Sequence, residues 1–342
     1  MSDFASLLGS LQKSAKQAKE DARSGLGSTG QQDRKRRAAI DDSSATTSTA
    51  KKHRPSPREP RDKRELTLSV SFFCIGAQKA GTTWLHEMLR QHPSLCLPLE
   101  KELHFWDWHR RKGLGWYCRQ FPNTSTSAKG GVKYGECTPC YMTLPESDIA
   151  EIKLLFPNVK LVFLARDLID RAWSALLMEL RNAVRGVEVG KFTINDKTDK
   201  RQLDQMDKES NPDNYDDDYF LERLQHSTHR VRSDYATGLR RWLQYFDKDQ
   251  LHIVDYNQIS ENSKAVLEKV CAHIGVESKT LFDKLSDDEL KSRKNAAVGS
   301  TKDKPIRPSL RKKMEAYLCP YAKDFNALLG ELGYEDFQLS EY

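Results

Sequence analysis

The sequence predicts an α/β protein with a P-loop-like three-layer fold, in which helices flank a central parallel β-sheet. Two stretches, residues 70–75 and 160–165, are short, apolar and rich in β-branched or aromatic residues, as buried strands are. Each is followed by a polar loop and a segment with apolar residues at helical spacing. The repeated order of strand, loop and helix is typical of a parallel sheet. Ligands of such sheets bind at the carboxyl ends of the strands.

The loop after the first strand almost matches the phosphate-binding pattern G-x-x-x-x-G-K-[ST]. Gly76 and Gly81 have the required spacing, and Thr83 occupies the Ser/Thr position. Thr82 stands where the lysine belongs, and the lysine comes three residues earlier, as Lys79. A lysine inside the loop can still reach a phosphate-like group, from a different side. The alternative is an ordinary strand-to-helix turn with a solvated lysine.

The remaining elements follow from the spacing of apolar residues. Shorter apolar runs predict further strands at residues 95–99, 132–136 and 251–254. Periodic apolar residues, or a glycine that stops them, predict helices from Gly81 onward, from about residue 112, and at residues 146–156, 169–180, 235–246, 265–274 and 310–332, the last as one or two helices.

Two segments do not follow these patterns. Residues 1–65 are rich in small, polar and basic residues, which predicts a disordered basic tail ahead of one domain at residues 66–342. The basic clusters at 34–37 and 51–54 indicate a nuclear-import signal or a polyanion-binding arm, with a merely solvated tail as the alternative. Residues 181–230 are polar and predict a mobile insertion that shapes a substrate pocket.

Composition limits the remaining classes. The 342 residues carry a net charge of +6, which suits an anionic ligand but does not indicate nucleic acid except through the tail. The seven cysteines are odd in number and irregularly spaced, which argues against a disulfide framework, and Cys137 and Cys140 form a lone C-x-x-C that we interpret as structural or incidental. No run of about 18 apolar residues predicts a transmembrane helix, and no secretory leader is recognisable. We therefore expect a cytoplasmic protein.

Five ordered motifs carry a family resemblance. They are K-x-G-T-x-x-L at 79–85, K-E-x-H-F-F-D at 101–107, K-G-x-x-W-Y at 112–117, E-K-T-P-x-Y at 136–141 and R-x-P-x-x-R-A-x-S at 166–174. Trp106 replaces the second phenylalanine of the second motif, Cys137 the lysine of the fourth and Leu168 the proline of the fifth. With these motifs, residues 70–335 resemble the sulfotransferases that use 3′-phosphoadenosine 5′-phosphosulfate (PAPS), and most closely the heparan sulfate and bacterial-type branch. Residues 295–304 depart from the heparan enzymes by lacking K-G-R.

The resemblance implies roles for individual residues. It implies that PAPS, and its product adenosine 3′,5′-bisphosphate (PAP), are held by Lys79, Ala80, Gly81, Thr82, Thr83, Arg166 and Ser174, with Ser300 and Lys302 as candidates in the late loop. It implies that Glu102 is the general base and His104 its partner or substitute, with Lys79 acting on the leaving phosphate. The acceptor would be a hydroxyl or an amine of a small molecule or glycan, and no metal is expected.

Two other functions remain open at this point. A P-loop nucleotide or small-molecule kinase needs lysine at position 82 and an acidic Mg²⁺ ligand after a strand. The chain has Thr82, and Asp167 is the nearby acidic candidate. A nucleic-acid-binding or scaffold protein would act through the basic tail.

Overall fold

Five parallel strands form the central sheet of the described residues, in the order β2-β3-β1-β4-β5. The strands are β1 (Val70–Gly76), β2 (Leu95–Cys96), β3 (Lys133–Cys137), β4 (Lys160–Ala165) and β5 (Leu251–Asp255). The structure is a computed structural model that describes residues 69–122, 131–184, 208–286, 289–290 and 304–342.

The described residues also form eleven helices. They are α1 (Thr82–Leu89), α2 (Leu114–Cys118), α3 (Glu146–Leu155), α4 (Leu168–Val184), α5 (Asp217–Gln225), α6 (Ser227–Ser233), α7 (Tyr235–Leu243), α8 (Tyr256–Glu261), α9 (Ser263–Ile274), α10 (Ser278–Phe282) and α11 (Pro308–Leu332). Short 3₁₀ turns lie at Arg110–Lys112, Pro139–Thr143, Pro212–Asn214 and Lys248–Gln250.

The core lies around the two central strands. Residues 72–75 of β1 and 161–165 of β4 are fully buried, as expected of strands covered on both faces. Phe163 of β4 packs edge-on against Tyr235 of α7, with ring centroids 5.0 Å apart. Gly135 of β3 lies against the Phe72 ring, where a Cβ atom would come within 2.1 Å of it. This close approach leaves no room for a side chain between β3 and β1.

The predicted α/β architecture is confirmed, and most predicted elements end within three residues of the observed ones. The second strand is shorter than expected, because it pairs only at Leu95 and Cys96. The segment 310–332 is one helix, which begins at Pro308 and contains Pro320. None of the described helices combines the length and the hydropathy that a membrane crossing needs.

The described part of the predicted insertion, residues 208–230, contains helical structure that the sequence patterns did not predict. It contains α5 and α6, and Phe220 and Leu224 of α5 are buried. Asp216 caps α5 by accepting a hydrogen bond from the Tyr219 amide at 2.8 Å. The acidic run at 216–218 is therefore a helix start, where negative charge is stabilising. Residues 185–207 and the tail at 1–65 lie outside the described residues.

Candidate active site

The glycine-containing loop joins the carboxyl end of β1 to α1. Gly81 precedes the helix with a positive φ of 88°, and a Cβ atom there would lie 2.8 Å from Ile259 of α8. Only glycine suits both conditions. The first N–H groups of α1, which Thr82 and Thr83 begin, lack intrahelical partners and carry the positive end of the helix dipole. The loop is therefore built for an anion, as predicted.

Lys79 lies inside this loop and is half-buried. Its Nζ atom lies 3.9 Å from the Met178 sulfur of α4. Burial lowers the pKa of Lys79, and the positive charges of Arg181 and Arg166 lower it further, while Glu102 opposes the shift. An anion bound between these positive charges would offset their mutual repulsion. The cluster therefore suits a ligand with several negative charges, such as a phosphosulfate.

Arg166 brings the end of β4 to the same loop. Its guanidinium donates a hydrogen bond to the Lys79 carbonyl at 3.0 Å and lies over the Tyr256 ring of α8, 4.6 Å from the centroid. The buried Nε atom of Arg166 has no hydrogen-bond partner among the described residues. A buried donor without a partner favours an acceptor supplied by a ligand.

The second motif forms a chain of charged groups beside the loop. His104 lies between two carboxylates: its Nε2 atom is 3.5 Å from Glu102 and its Nδ1 atom 2.7 Å from Asp107. Lys101 also pairs with Glu102. The His104 ring stacks on Trp108, with centroids 3.7 Å apart and planes 8° from parallel. The imidazole is thus fixed on three sides.

These contacts set the protonation states of the chain. Burial acts to raise the pKa of Glu102, but the hydrogen-bonded His104 and the Lys101 ammonium outweigh it and lower the pKa to about 2. Burial acts to lower the pKa of His104, but the carboxylates of Asp107 and Glu102 outweigh it and raise the pKa to about 9. At neutral pH, Glu102 is a carboxylate and His104 an imidazolium.

A buried carboxylate supports this segment from β3. Glu136 accepts hydrogen bonds from the hydroxyls of Tyr117 at 2.7 Å, Thr138 at 3.0 Å and Tyr141 at 3.1 Å. Burial raises the pKa of Glu136 to about 7, although these donors oppose the shift. The Tyr141 hydroxyl also accepts the Phe105 amide at 3.0 Å. Glu136 therefore holds, through Tyr141, the backbone that follows His104.

The structure brings together most of the predicted site residues. The loop residues Lys79 to Thr83 lie at one sheet edge with Arg166, and Glu102 is close enough to influence Lys79. Ser174 is half-buried on α4, two turns beyond Arg166. Ser300 and Lys302 lie outside the described residues.

Several residues at the site were not singled out from the sequence. Asp107 was part of a quoted motif, and its spacing of three from His104 could have indicated the pair. Lys101 could have been found in the same way, from its position beside Glu102. Tyr256 left no local signal, because it reaches Arg166 only through the fold.

Comparison with known proteins assigns the family. Residues 70–317 match the sulfotransferase domain family. Membrane-associated sulfotransferase kil1 of Dictyostelium discoideum is 25% identical over 278 residues, and the match covers 64% of this chain and 58% of that protein. Heparan sulfate glucosamine 3-O-sulfotransferase 3B1 of Mus musculus is 38% identical over 100 residues, covering 29% of this chain and 24% of that protein. The match thus spans little more than half of the length of the first relative and about a quarter of the second.

The fold is also found among solved structures. A sulfotransferase from Alicyclobacillus acidocaldarius superposes with a TM-score of 0.51 at 20% identity, covering 76% of this chain and 96% of that one. At that identity the likeness concerns the fold. The family match extends over most of the chain and includes both the Lys79 loop and the segment with Glu102 and His104. The chain therefore belongs to the sulfotransferase domain family.

Proposed function

We propose that this chain transfers the sulfuryl group of PAPS to a hydroxyl or an amine of an acceptor. The observation that carries the proposal is the meeting of two groups at one sheet edge. A cationic loop around Lys79 and Arg166 lies beside the Glu102–His104–Asp107 chain. The first group suits the donor and its leaving phosphate, and the second suits the acceptor.

On the donor side, negative charge develops on the 5′-phosphate as the sulfuryl group leaves. Lys79 and the first N–H groups of α1 would stabilise that charge, as oriented cations and amides do in phosphoryl transfer. Arg166 has a buried, unpartnered Nε atom at the end of β4 and would hold the 3′-phosphate with Ser174. Ser300 and Lys302 remain candidates for closing over the nucleotide.

On the acceptor side, Glu102 is ionised and would accept the proton of the hydroxyl or amine. The His104 and Lys101 contacts that lower its pKa also make it a weaker base, so an acceptor that displaces Lys101 from the carboxylate would strengthen it. His104, held by Asp107, fixes the orientation of that carboxylate. Trp108 is 52% exposed, so the ring face that His104 does not cover can contact an acceptor. A glycan or a planar small molecule suits such a surface, and several relatives are named for heparan sulfate.

The kinase alternative is less well supported. Asp167, its candidate metal ligand, already has partners for both carboxylate oxygens: one accepts the amides of Ile169 and Asp170, and the other accepts the Tyr342 hydroxyl. It therefore acts as a cap at the start of α4.

The proposal is tested by following labelled sulfate from PAPS to a panel of glycans, phenols and amines. Lys79→Ala should lower turnover by about 10²–10³-fold, the range seen when one donor to a developing oxyanion is removed. Lys160→Ala is the matched control, because Lys160 lies at the amino end of β4, where it contacts the Asp249 carbonyl. Full turnover in Lys79→Ala, or phosphate transfer from ATP, would contradict the proposal.

A second variant separates chemistry from nucleotide binding. Glu102→Gln should lose most turnover while calorimetry shows unchanged PAP affinity, since its carboxylate faces His104 and Lys101. An equal loss of PAP affinity would instead indicate a structural role.

For location, we propose a cytoplasmic protein that the basic clusters at 34–37 and 51–54 can direct to the nucleus. Imaging of a fluorescent fusion, with both clusters changed to alanine as the control, tests this.

A further inference from the structure

A cluster of metal-ligand type lies beside the Glu102–His104–Asp107 chain. His104, Asp107 and Cys140 each offer one ligand atom, and these atoms all lie within 4.8 Å of one another. In a tetrahedral zinc site with bonds of about 2.0–2.3 Å, ligand atoms are roughly 3.5 Å apart. Small side-chain movements therefore suffice to enclose an ion. We propose that His104, Asp107 and Cys140 form a site for Zn²⁺, which inhibits the enzyme.

The turn after β3 sets Cys140 in this position. Pro139–Thr143 is a 3₁₀ turn that begins after the Thr138 amide has bonded to the Cys74 carbonyl at 3.1 Å. Cys137, the other cysteine of the C-x-x-C pair, is the register partner of Cys74 within the sheet. The two cysteines therefore have different surroundings: Cys137 lies within the sheet, and Cys140 lies near His104 and Asp107.

The ligand set has the chemistry that Zn²⁺ prefers. One imidazole, one carboxylate and one thiolate are common zinc ligands, and three protein ligands leave a fourth position for water. The thiolate and the carboxylate together neutralise the two charges of the ion. Burial raises the pKa of the Cys140 thiol, and the Arg232 guanidinium, 3.7 Å from the sulfur, opposes that shift, so the bound ion itself must displace the thiol proton. The sulfur can coordinate the ion through one lone pair and keep Arg232 on another.

Each ring nitrogen of His104 faces one carboxylate, so the two nitrogens would have different roles at the zinc site. Nδ1 faces Asp107, so it is the coordinating atom, and Nε2 lies on the Glu102 side at 3.5 Å. Glu102 can then accept a hydrogen bond from the Nε2–H group, which keeps its proton, as outer carboxylates do for zinc-bound histidines. Binding releases the Nδ1 proton and the Cys140 thiol proton to water.

The inhibition follows from the shared histidine, and this part rests on the proposed function. A bound ion occupies the Nδ1 lone pair and the Asp107 oxygen, so the hydrogen bond that orients His104 against Asp107 is lost. It also places a dication beside Glu102, which disfavours protonation of that carboxylate by the acceptor. Transfer therefore slows while the donor loop around Lys79 is unaffected.

Binding is tested directly with Co²⁺ as a spectroscopic probe and by Zn²⁺ calorimetry, on the full chain. We expect a thiolate-to-cobalt charge-transfer band in the wild type and in Cys118→Ser, which changes a half-buried cysteine outside the cluster. Cys140→Ser should lose the band and weaken Zn²⁺ binding by roughly 100-fold or more, since even outer-shell changes cost 10–100-fold. Retention of the band and affinity in Cys140→Ser overturns the site.

Inhibition is tested in the transfer assay, with each variant compared with its own metal-free rate. Zn²⁺ should inhibit the wild type reversibly, with full recovery on adding EDTA, and Cys140→Ser should need about 100-fold more Zn²⁺. Equal sensitivity of the two proteins overturns the inhibitory role. Because the cobalt band needs no turnover, failure of the proposed function leaves the test of the site intact.

Discussion

At the scale of single residues, the site is held in backbone conformations that most residues avoid. Among the described non-glycine residues, four have positive φ, and three of them are Lys79 at 68°, Glu102 at 64° and His104 at 49°. Such conformations cost on the order of 1–3 kcal/mol each and persist where the surrounding structure enforces them. Here the enforcing contacts include the Arg166 bond to the Lys79 carbonyl and the Cys137 carbonyl that accepts the Glu102 amide.

The protonation of His104 predicts how stability depends on pH. Because its pKa is raised to about 9 in the folded protein, its contribution is complete below about pH 6.5, the ordinary pKa of histidine. The contribution is lost as the pH rises through about 9. Urea unfolding of wild type and His104→Gln should therefore show a stability difference that shrinks by roughly 2–3 kcal/mol between these limits, at about 1.4 kcal/mol per pKa unit.

A stability difference that stays constant across this pH range would show that the carboxylates of Glu102 and Asp107 do not hold the His104 imidazolium.

At the scale of elements, the segment with Glu102 and His104 has no regular structure of its own and takes its position from β3 and the turn after it. The Tyr141 hydroxyl joins the two, because it donates to Glu136 and accepts the Phe105 amide. The indole of Trp242 in α7 in turn donates to the Tyr141 carbonyl at 3.0 Å. A helix outside the site thus fixes the turn, and the turn fixes the segment with Glu102 and His104.

Tyr141→Phe tests this arrangement. Removing the hydroxyl leaves the Phe105 amide and one Glu136 oxygen without this partner in a buried place, which should cost about 1–3 kcal/mol of stability. Turnover should fall while PAP affinity is retained, because the donor loop belongs to β1. Tyr245→Phe, at a half-buried tyrosine outside the network, is the control for both readouts. Unchanged turnover in Tyr141→Phe would show that Glu136 only fills the core.

At the scale of the whole molecule, sequence patterns predicted the sheet because its central strands are buried on both faces and read as continuous apolar runs. They did not predict α5 and α6, whose buried side chains include His229 and Ser233 as well as Phe220 and Leu224. The cap at Asp216 was the available signal. Contacts such as Arg166 with Tyr256 join residues far apart in sequence, so no local pattern contains them.

The described residues belong to one compact unit, Arg64–Tyr342. We therefore expect a chain of residues 66–342 to bind PAP and transfer sulfate at rates within about twofold of the full chain, with a similar thermal midpoint. Loss of transfer on this truncation would favour a protein whose main activity depends on the basic tail. Calorimetric PAP binding by both chains distinguishes an unfolded truncation from an inactive one.

The surroundings of Thr82 limit how this loop can change its chemistry. Thr82 is 4% exposed, packed into the first turn of α1, at the position where kinase loops carry their lysine. A lysine there would start from a buried position, whereas Lys79 is half-buried in the loop. A Thr82→Lys substitution would thus bring a charge into a buried place. Placing the kinase lysine in this loop is therefore expected to destabilise the start of α1.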